Sequence, residues 1–288
     1  MENRRGSVMT SRRRAIRRKL LLLLLSVDAV ASVAAAQEAA SSAPADLAAN
    51  PGRPTVTTPA TLTPVGYLQF ETGVIQAWKS PEFQARLAMN ETVKLNFATR
   101  WQALFVSDPA ARYKVNGQIG SGLACYFLGG QTAVHAGHGA NPTIAMSYLR
   151  RVYDGPAPEL DYGSPNDSLL LLASADVKGF HYDTNAIFNR MVQNGASRPQ
   201  FGQTLSISHP MTERLAISGE IWHFTQPFLY RNAIGNLWAL GYTQRRNLVW
   251  DAGFDRGLTG SSTHWEAFVG FTYLLPHRLW GKGCNHPL

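Results

Sequence analysis

Beyond residue 36 the chain contains no apolar run near the about 20 residues that a membrane-spanning helix requires. Glycine is scattered through the remainder, often inside alternating stretches, where it would weaken any helix. Cysteine is scarce. Cys125 and Cys284 stand far apart with no spacing pattern, so they define neither a disulfide framework nor a metal site, and the sequence leaves open whether they pair in an oxidising compartment. An excess of one charge sign is missing too, although the whole chain suggests otherwise. The formal net charge is +8, but setting aside residues 1–36 leaves 19 basic and 17 acidic side chains. The basic character belongs mostly to the N-terminus, and a nucleic-acid partner loses its support.

Those first 36 residues read as an export signal. Arg12, Arg13, Arg14, Arg17, Arg18 and Lys19 form a positive region, Leu20 to Leu25 begin a short apolar one, and Ala34-Ala35-Ala36 offers a cleavage site before Gln37. Arg12-Arg13 faintly resembles a twin-arginine signal, but Ala15 stands where a strongly apolar residue is expected, which favours general secretion. No cysteine follows the cleavage site closely, so a lipid anchor there is not expected. Residues 37–64 are mostly Ala, Ser, Thr, Pro and Asn and predict a flexible leader, because they carry too little apolar surface to offset the cost of ordering. Residues 65–275 form the expected folded domain, and 276–288 a C-terminal tail.

Within that domain apolar and polar residues alternate. Val93, Leu95, Phe97, Trp101, Ala103 and Phe105 lie opposite Lys94, Asn96, Arg100 and Gln102. Leu68, Phe70 and Val74 oppose Gln69, Glu71 and Gly73; Tyr182, Ala186 and Phe188 oppose Asp183 and Asn185; Trp250 and Phe254 oppose Asp251. A period of two marks strands with one apolar face. The pattern predicts about twelve strands, beginning near Val65, Glu82, Thr92, Asn116, Thr143, Asp167, Phe180, Phe201, Arg214, Gly235, Asn247 and Thr263.

Soluble sandwiches also alternate, so the connections matter. Short ones are expected at Asn90-Glu91, Lys178-Gly179, 209–213 and 243–246. Long ones are expected at 107–115, 153–166, 191–200, 226–234 and 255–262, with exceptions at 79–81 and 128–142. Short turns on one side and long loops on the other suit an outer-membrane barrel. Tyr67, Trp78, Phe105, Tyr126, Trp222, Tyr242, Trp265 and Tyr273 fall near strand ends, where interfacial girdles belong. The fold class expected is an all-β transmembrane antiparallel barrel in the outer membrane of a Gram-negative bacterium.

Particular stretches sharpen this. Gln200-Phe201-Gly202-Gln203-Thr204-Leu205-Ser206-Ile207-Ser208, then Met211-Thr212-Glu213-Arg214-Leu215 and Gly219-Glu220, resemble the outer-membrane transporter family named for the MetA pathway of phenol degradation. Asp251-Ala252-Gly253-Phe254-Asp255-Arg256-Gly257-Leu258 and Phe268-Val269-Gly270-Phe271-Thr272-Tyr273 are similar to its last two strands, and Gly66 to Gly73 to its first. The resemblance implies a channel-like barrel passing small, aromatic compounds. It brings no catalytic residues.

Glu71, Arg86, Lys94, Arg100, Asp183, Glu220 and Asp251 fall opposite the apolar face and are the candidate lumen lining. Two readings stand: a selectivity lining of mixed sign, or a salt-bridged filling of a narrow barrel. Ser206, Ser208 and His209, and Ser261, Ser262 and His264, are adjacent in sequence, but adjacency supplies neither a base in reach nor an orienting group. His135 and His138 lack a third ligand at useful spacing. No enzyme activity, metal or cofactor is expected. The expected function is a passive pore or transporter for small, aromatic or hydrophobic molecules, with outer-membrane lipid and the barrel-assembly machinery as partners. The alternatives are a plugged structural or adhesive barrel and a lipid-active enzyme.

Overall fold

In the computed structural model, residues 47–160, 163, 165–229 and 231–280 are described. The export signal therefore lies outside them, as do Cys284 and most of the C-terminal tail. Among the described residues the alternation resolves into β1 (Leu68–Trp78), β2 (Ala85–Ala98), β3 (Trp101–Val115), β4 (Gln118–Gly122), β5 (Tyr126–His135), β6 (Thr143–Tyr153), β7 (Asp167–Val177), β8 (Phe180–Gln193), β9 (Ala196–Pro210), β10 (Leu215–Phe224), β11 (Ala233–Arg245), β12 (Leu248–Gly257) and β13 (Trp265–Leu274).

All pairings are antiparallel, and β1 pairs with both β2 and β13, so the sheet closes. The short β4 folds back on the far end of β3, while β5 takes the place beside β3 in the ring. The barrel thus has twelve strands, as the alternation implied, plus one strand outside the ring. Closure satisfies every ladder from within, which is what a sheet must do where water cannot reach its edges.

The outward face is greasy. Val74, Trp101, Leu171, Phe188, Phe201, Ile221, Trp238, Trp250 and Val269 are each at least a third exposed, whereas a soluble protein would hide such residues. Aromatics gather at both margins of this surface: Phe180 with Tyr182 and Trp250 with Phe271 at one end, Phe188 with Phe201 and Phe254 with Trp265 at the other. Phe180 and Phe188 lie eight residues apart on one strand. At about 3.4 Å per residue and about 40° tilt they are about 20 Å apart along the barrel axis, near the height of an outer-membrane apolar band. This exterior makes the chain an outer-membrane β-barrel.

Short connections collect at one end, here the turn end: Thr99-Arg100, Lys178-Gly179, 211–214 and 246–247. At the opposite, loop end lie 79–84, 116–125, 154–166, 225–232 and 258–264, while two connections break the pattern, the long 136–142 at the turn end and the two-residue Asn194-Gly195 at the loop end. Several expected boundaries are corrected. Asn90-Glu91 is not a turn but the middle of β2, which pairs continuously with β1 from Trp78↔Ala85 to Leu68↔Leu95. The run from Val93 to Phe105 is consequently two strands joined at Thr99-Arg100. The expected loops 107–115 and 191–200 are mostly strand. Asn116-Gly117 and Asn194-Gly195 form the tight hairpins instead, with φ of 50° and 82° and of 50° and 79°. Asn and Gly tolerate that left-handed pair, whose twist matches the flanking strands.

Candidate functional site in the barrel lumen

The leader is corrected as well. Residues 47–64 do not hang free; they enter at the turn end, cross the lumen and return to feed β1. Ala49 donates to Arg246 O at 2.8 Å at that end, and Gly66 donates to Asn96 O at 2.7 Å on the way out. Between them Thr57, Ala60 and Thr63 are buried almost completely. Ordering of such a segment does not depend on apolar burial alone. A polar lumen can instead supply hydrogen bonds, and a Thr-rich segment supplies the matching groups. Pro51, Pro54, Pro59 and Pro64 also remove amide donors that would otherwise need partners.

The wall residues are arranged around this segment. Glu71, on the inward face of β1, accepts Gly52 N–H at 3.0 Å and a second bond from Gln69 at 2.8 Å, and forms an ion pair with Lys94 of β2. Asp251 of β12 holds the Arg53 guanidinium through Nη2 and Nε at 3.2 and 3.3 Å, while Arg53 Nη1 donates to Asn90 at 2.8 Å. Arg53 lies flat over Gly73 and Gly270. A Cβ built at Gly270 would stand 2.7 Å from its Nε, and one at Gly73 would collide with the guanidinium, so these two glycines make room for it.

Glu220 of β10 takes Val56 N–H and Thr57 N–H, both at 2.9 Å, and the Thr57 hydroxyl at 2.7 Å. A carboxylate accepting three donors from a dipeptide is a built cradle. Asn185 both accepts from Thr58 N–H at 2.7 Å and donates to Thr58 O at 2.8 Å, as a strand neighbour would. Asp183 reaches the leader one step removed: Ser174 donates to it at 2.5 Å and accepts Ala60 N–H at 2.7 Å. Gln102 and Gln131 complete the ring by binding Thr63 and the carbonyls of Pro59 and Ala60. On the β6 to β11 side the contact is apolar, with Ala60 and Val56 against Leu172, Ile187, Trp222 and Phe224.

Glu71, Lys94, Asp183, Glu220 and Asp251 thus all meet around one segment. Arg86 is also buried and inward, but it pairs with Asp108 toward the loop end, away from the leader. Arg100 is corrected: it sits exposed in the Thr99-Arg100 turn, beyond the wall. Sequence reasoning missed Arg53 and Gln131, and put Asn185 and Gln102 on the polar face without naming them as lining. Arg53 was visible as the lone cation of residues 37–64.

Trp222 corrects the girdle assignment, because it is 3% exposed and points inward, with its indole N–H on Asp255 at 2.6 Å. At the loop end a cavity of about 320 Å³ opens among the connections, lined by Glu82, Cys125, Arg151, Glu159, Met191 and Phe228 among others. Cys125 N–H donates to Glu159 at 3.1 Å and its thiol to Asp154 at 3.4 Å. Burial, then the nearby Asp108 charge, pushes the Glu159 carboxyl up to about 7.

A closed barrel with an apolar exterior and a lumen occupied by its own N-terminal segment belongs to the class of plugged outer-membrane barrels. The chain is similar to a solved outer-membrane channel from Pseudomonas putida F1, with 10% identity, 82% of this chain and 100% of that one covered, and a TM-score of 0.53. At this identity the likeness shows the fold. It is also aligned with the NanC porin at 10% identity, 70% and 98% coverage and a TM-score of 0.49. The CymD monoaromatic hydrocarbon channel aligns at 9% identity, 72% and 87% coverage and a TM-score of 0.39. No protein-family model matches the chain, and no curated protein does.

Proposed function

We propose that this barrel is a gated pore for small molecules and that residues 47–64 are its gate. The observation that carries the reading is how the lumen is filled. Narrow barrels are often filled by wall side chains packing on one another, and others are plugged by a loop or a helix. Here much of the wall is reserved for backbone amides and threonines of a separate segment. Most of those bonds are polar, and water could replace them one for one, so releasing the segment costs far less than unpacking an apolar core of the same size. With the segment withdrawn, Glu71, Lys94, Asp183, Glu220 and Asp251 become the charged lining of a wetted path. The cargo follows from the sequence resemblance alone: small, aromatic or hydrophobic compounds.

The test is single-channel conductance in a planar bilayer. The mature chain should show rare or narrow openings, and the same chain lacking residues 37–64 should show steady ones that small aromatic acids block. Silence from a folded barrel lacking the segment would contradict the reading and favour a closed structural barrel.

A further inference from the structure

The outward face carries a charged cluster that the pore does not use. Arg150, Asp167 and Arg190 stand in one line across β6, β7 and β8, in the register Arg150↔Asp167↔Arg190. Asp167 binds both cations: Arg150 Nη1 donates to its Oδ1 at 2.6 Å, and Arg190 donates Nε at 2.7 Å and Nη2 to its Oδ2. The Tyr148 hydroxyl adds a bond to Oδ1 at 2.7 Å. One carboxylate thus holds a guanidinium on each side of it while neutralising only one of them. The arginine side chains remain 60% and 47% exposed, whereas that of Asp167 is 17% exposed. The bonds to Asp167 leave Arg150 Nη2 and Arg190 Nη1 as further donors.

Position gives the cluster its meaning. One outward row closer to the turn end lie Tyr148, Leu169, Phe188 and Phe201, paired across the same strands. All four are more than a third exposed, so they belong to the apolar band. The guanidiniums therefore sit where the band ends and lipid head groups begin. On another side of the barrel a lone arginine, Arg256, lies 4.7 Å over the Trp265 ring. A fixed pair of guanidiniums matches a phosphate, whose oxygens accept parallel N–H donors.

We infer that Arg150 and Arg190 form a site for a phosphate of the phosphorylated glycolipid in the outer leaflet, with its acyl chains lying on Leu169, Phe188 and Phe201. The site rests on the membrane placement of the barrel and not on the pore reading.

The experiment uses the refolded full mature chain in detergent and reads retained lipid by native mass spectrometry. The probes are diphosphorylated lipid A, its dephosphorylated form and inorganic phosphate. The chain should retain the phosphorylated lipid at least tenfold better than the dephosphorylated one. Arg150→Gln with Arg190→Gln should erase that preference, while Arg112→Gln with Lys114→Gln should keep it. Loss of preference in both pairs would reduce the effect to overall charge and overturn the site. Equal retention of the two lipids by the unaltered chain would overturn it as well. Displacement of lipid A by millimolar inorganic phosphate would assign the site to the free ion and overturn the lipid. Both surface variants should refold, because the replaced side chains are exposed; a heat-modifiable gel shift confirms it.

Discussion

The two ends of the lumen are built on different principles. Toward the turn end the space is occupied by residues 47–64, held by Glu71, Asp251, Glu220 and Asn185 through individually named hydrogen bonds. Toward the loop end there is a cavity of about 320 Å³ between connections, with Glu159 half-buried in its wall. The first end is closed by a segment held mainly through hydrogen bonds to the wall. On the gate reading proposed above, the contrast sets a cavity between the loops apart from the turn-end closure that would control passage.

The largest effect expected from breaking this contrast is on conductance, where removing residues 37–64 should abolish the difference between the two ends. Next comes a control on the wall itself. Val269, 54% exposed on the outward face, replaced by Arg should cost about 2 to 4 kcal/mol in unfolding experiments if it lies near the bilayer midplane. Arginine placed instead at an exposed turn residue, Glu213→Arg, should cost almost nothing, and equal costs would deny the membrane band.

Glu220→Gln should be milder. The amide keeps one acceptor for Val56 and Thr57 but loses the charge, so the segment should loosen by about 1 kcal/mol, read as raised amide hydrogen exchange at residues 55–58. Unchanged exchange would mean that this cradle does not hold the gate.

The smallest effect is expected at the loop end. Glu159 ionises near 4.5 when unfolded but near 7 in the folded chain. Between those values the folded state holds the extra proton, so stability falls as pH rises from 4.5 to 7 and levels off above. The change should be on the order of 1 kcal/mol, and Glu159→Gln should flatten it. A slope that survives the substitution would assign the titration elsewhere.

Much of the barrel was legible because a strand with one face in lipid must alternate, and the outward residues of β1, β8 and β12 do so cleanly. Boundaries were less so. Thr99-Arg100 has none of the residues that announce a turn, while Asn90 suggests one and sits mid-strand. Asn116-Gly117 and Asn194-Gly195 do announce turns, and reading them as hairpins would have corrected β3 and β9. The lining set was legible as a face but not as a site, because its partner is a segment whose composition reads as disorder. Only the pairing of those carboxylates with Arg53 and a run of threonines reveals what they hold. Asp167 was missed altogether, since a charge on an outward position at a strand end is invisible until the registers of three strands are known.

The most direct test of the gate ties it shut. Thr57 and Thr204 place their hydroxyl oxygens 2.8 Å apart, so Thr57→Cys with Thr204→Cys, in a chain carrying Cys125→Ser and Cys284→Ser, joins the segment to β9. Single-channel recording of that one protein should show closed barrels when oxidised and openings after reduction. Equal conductance in both states, with the crosslink verified by mass, would show that ions pass without moving the segment and would contradict the account.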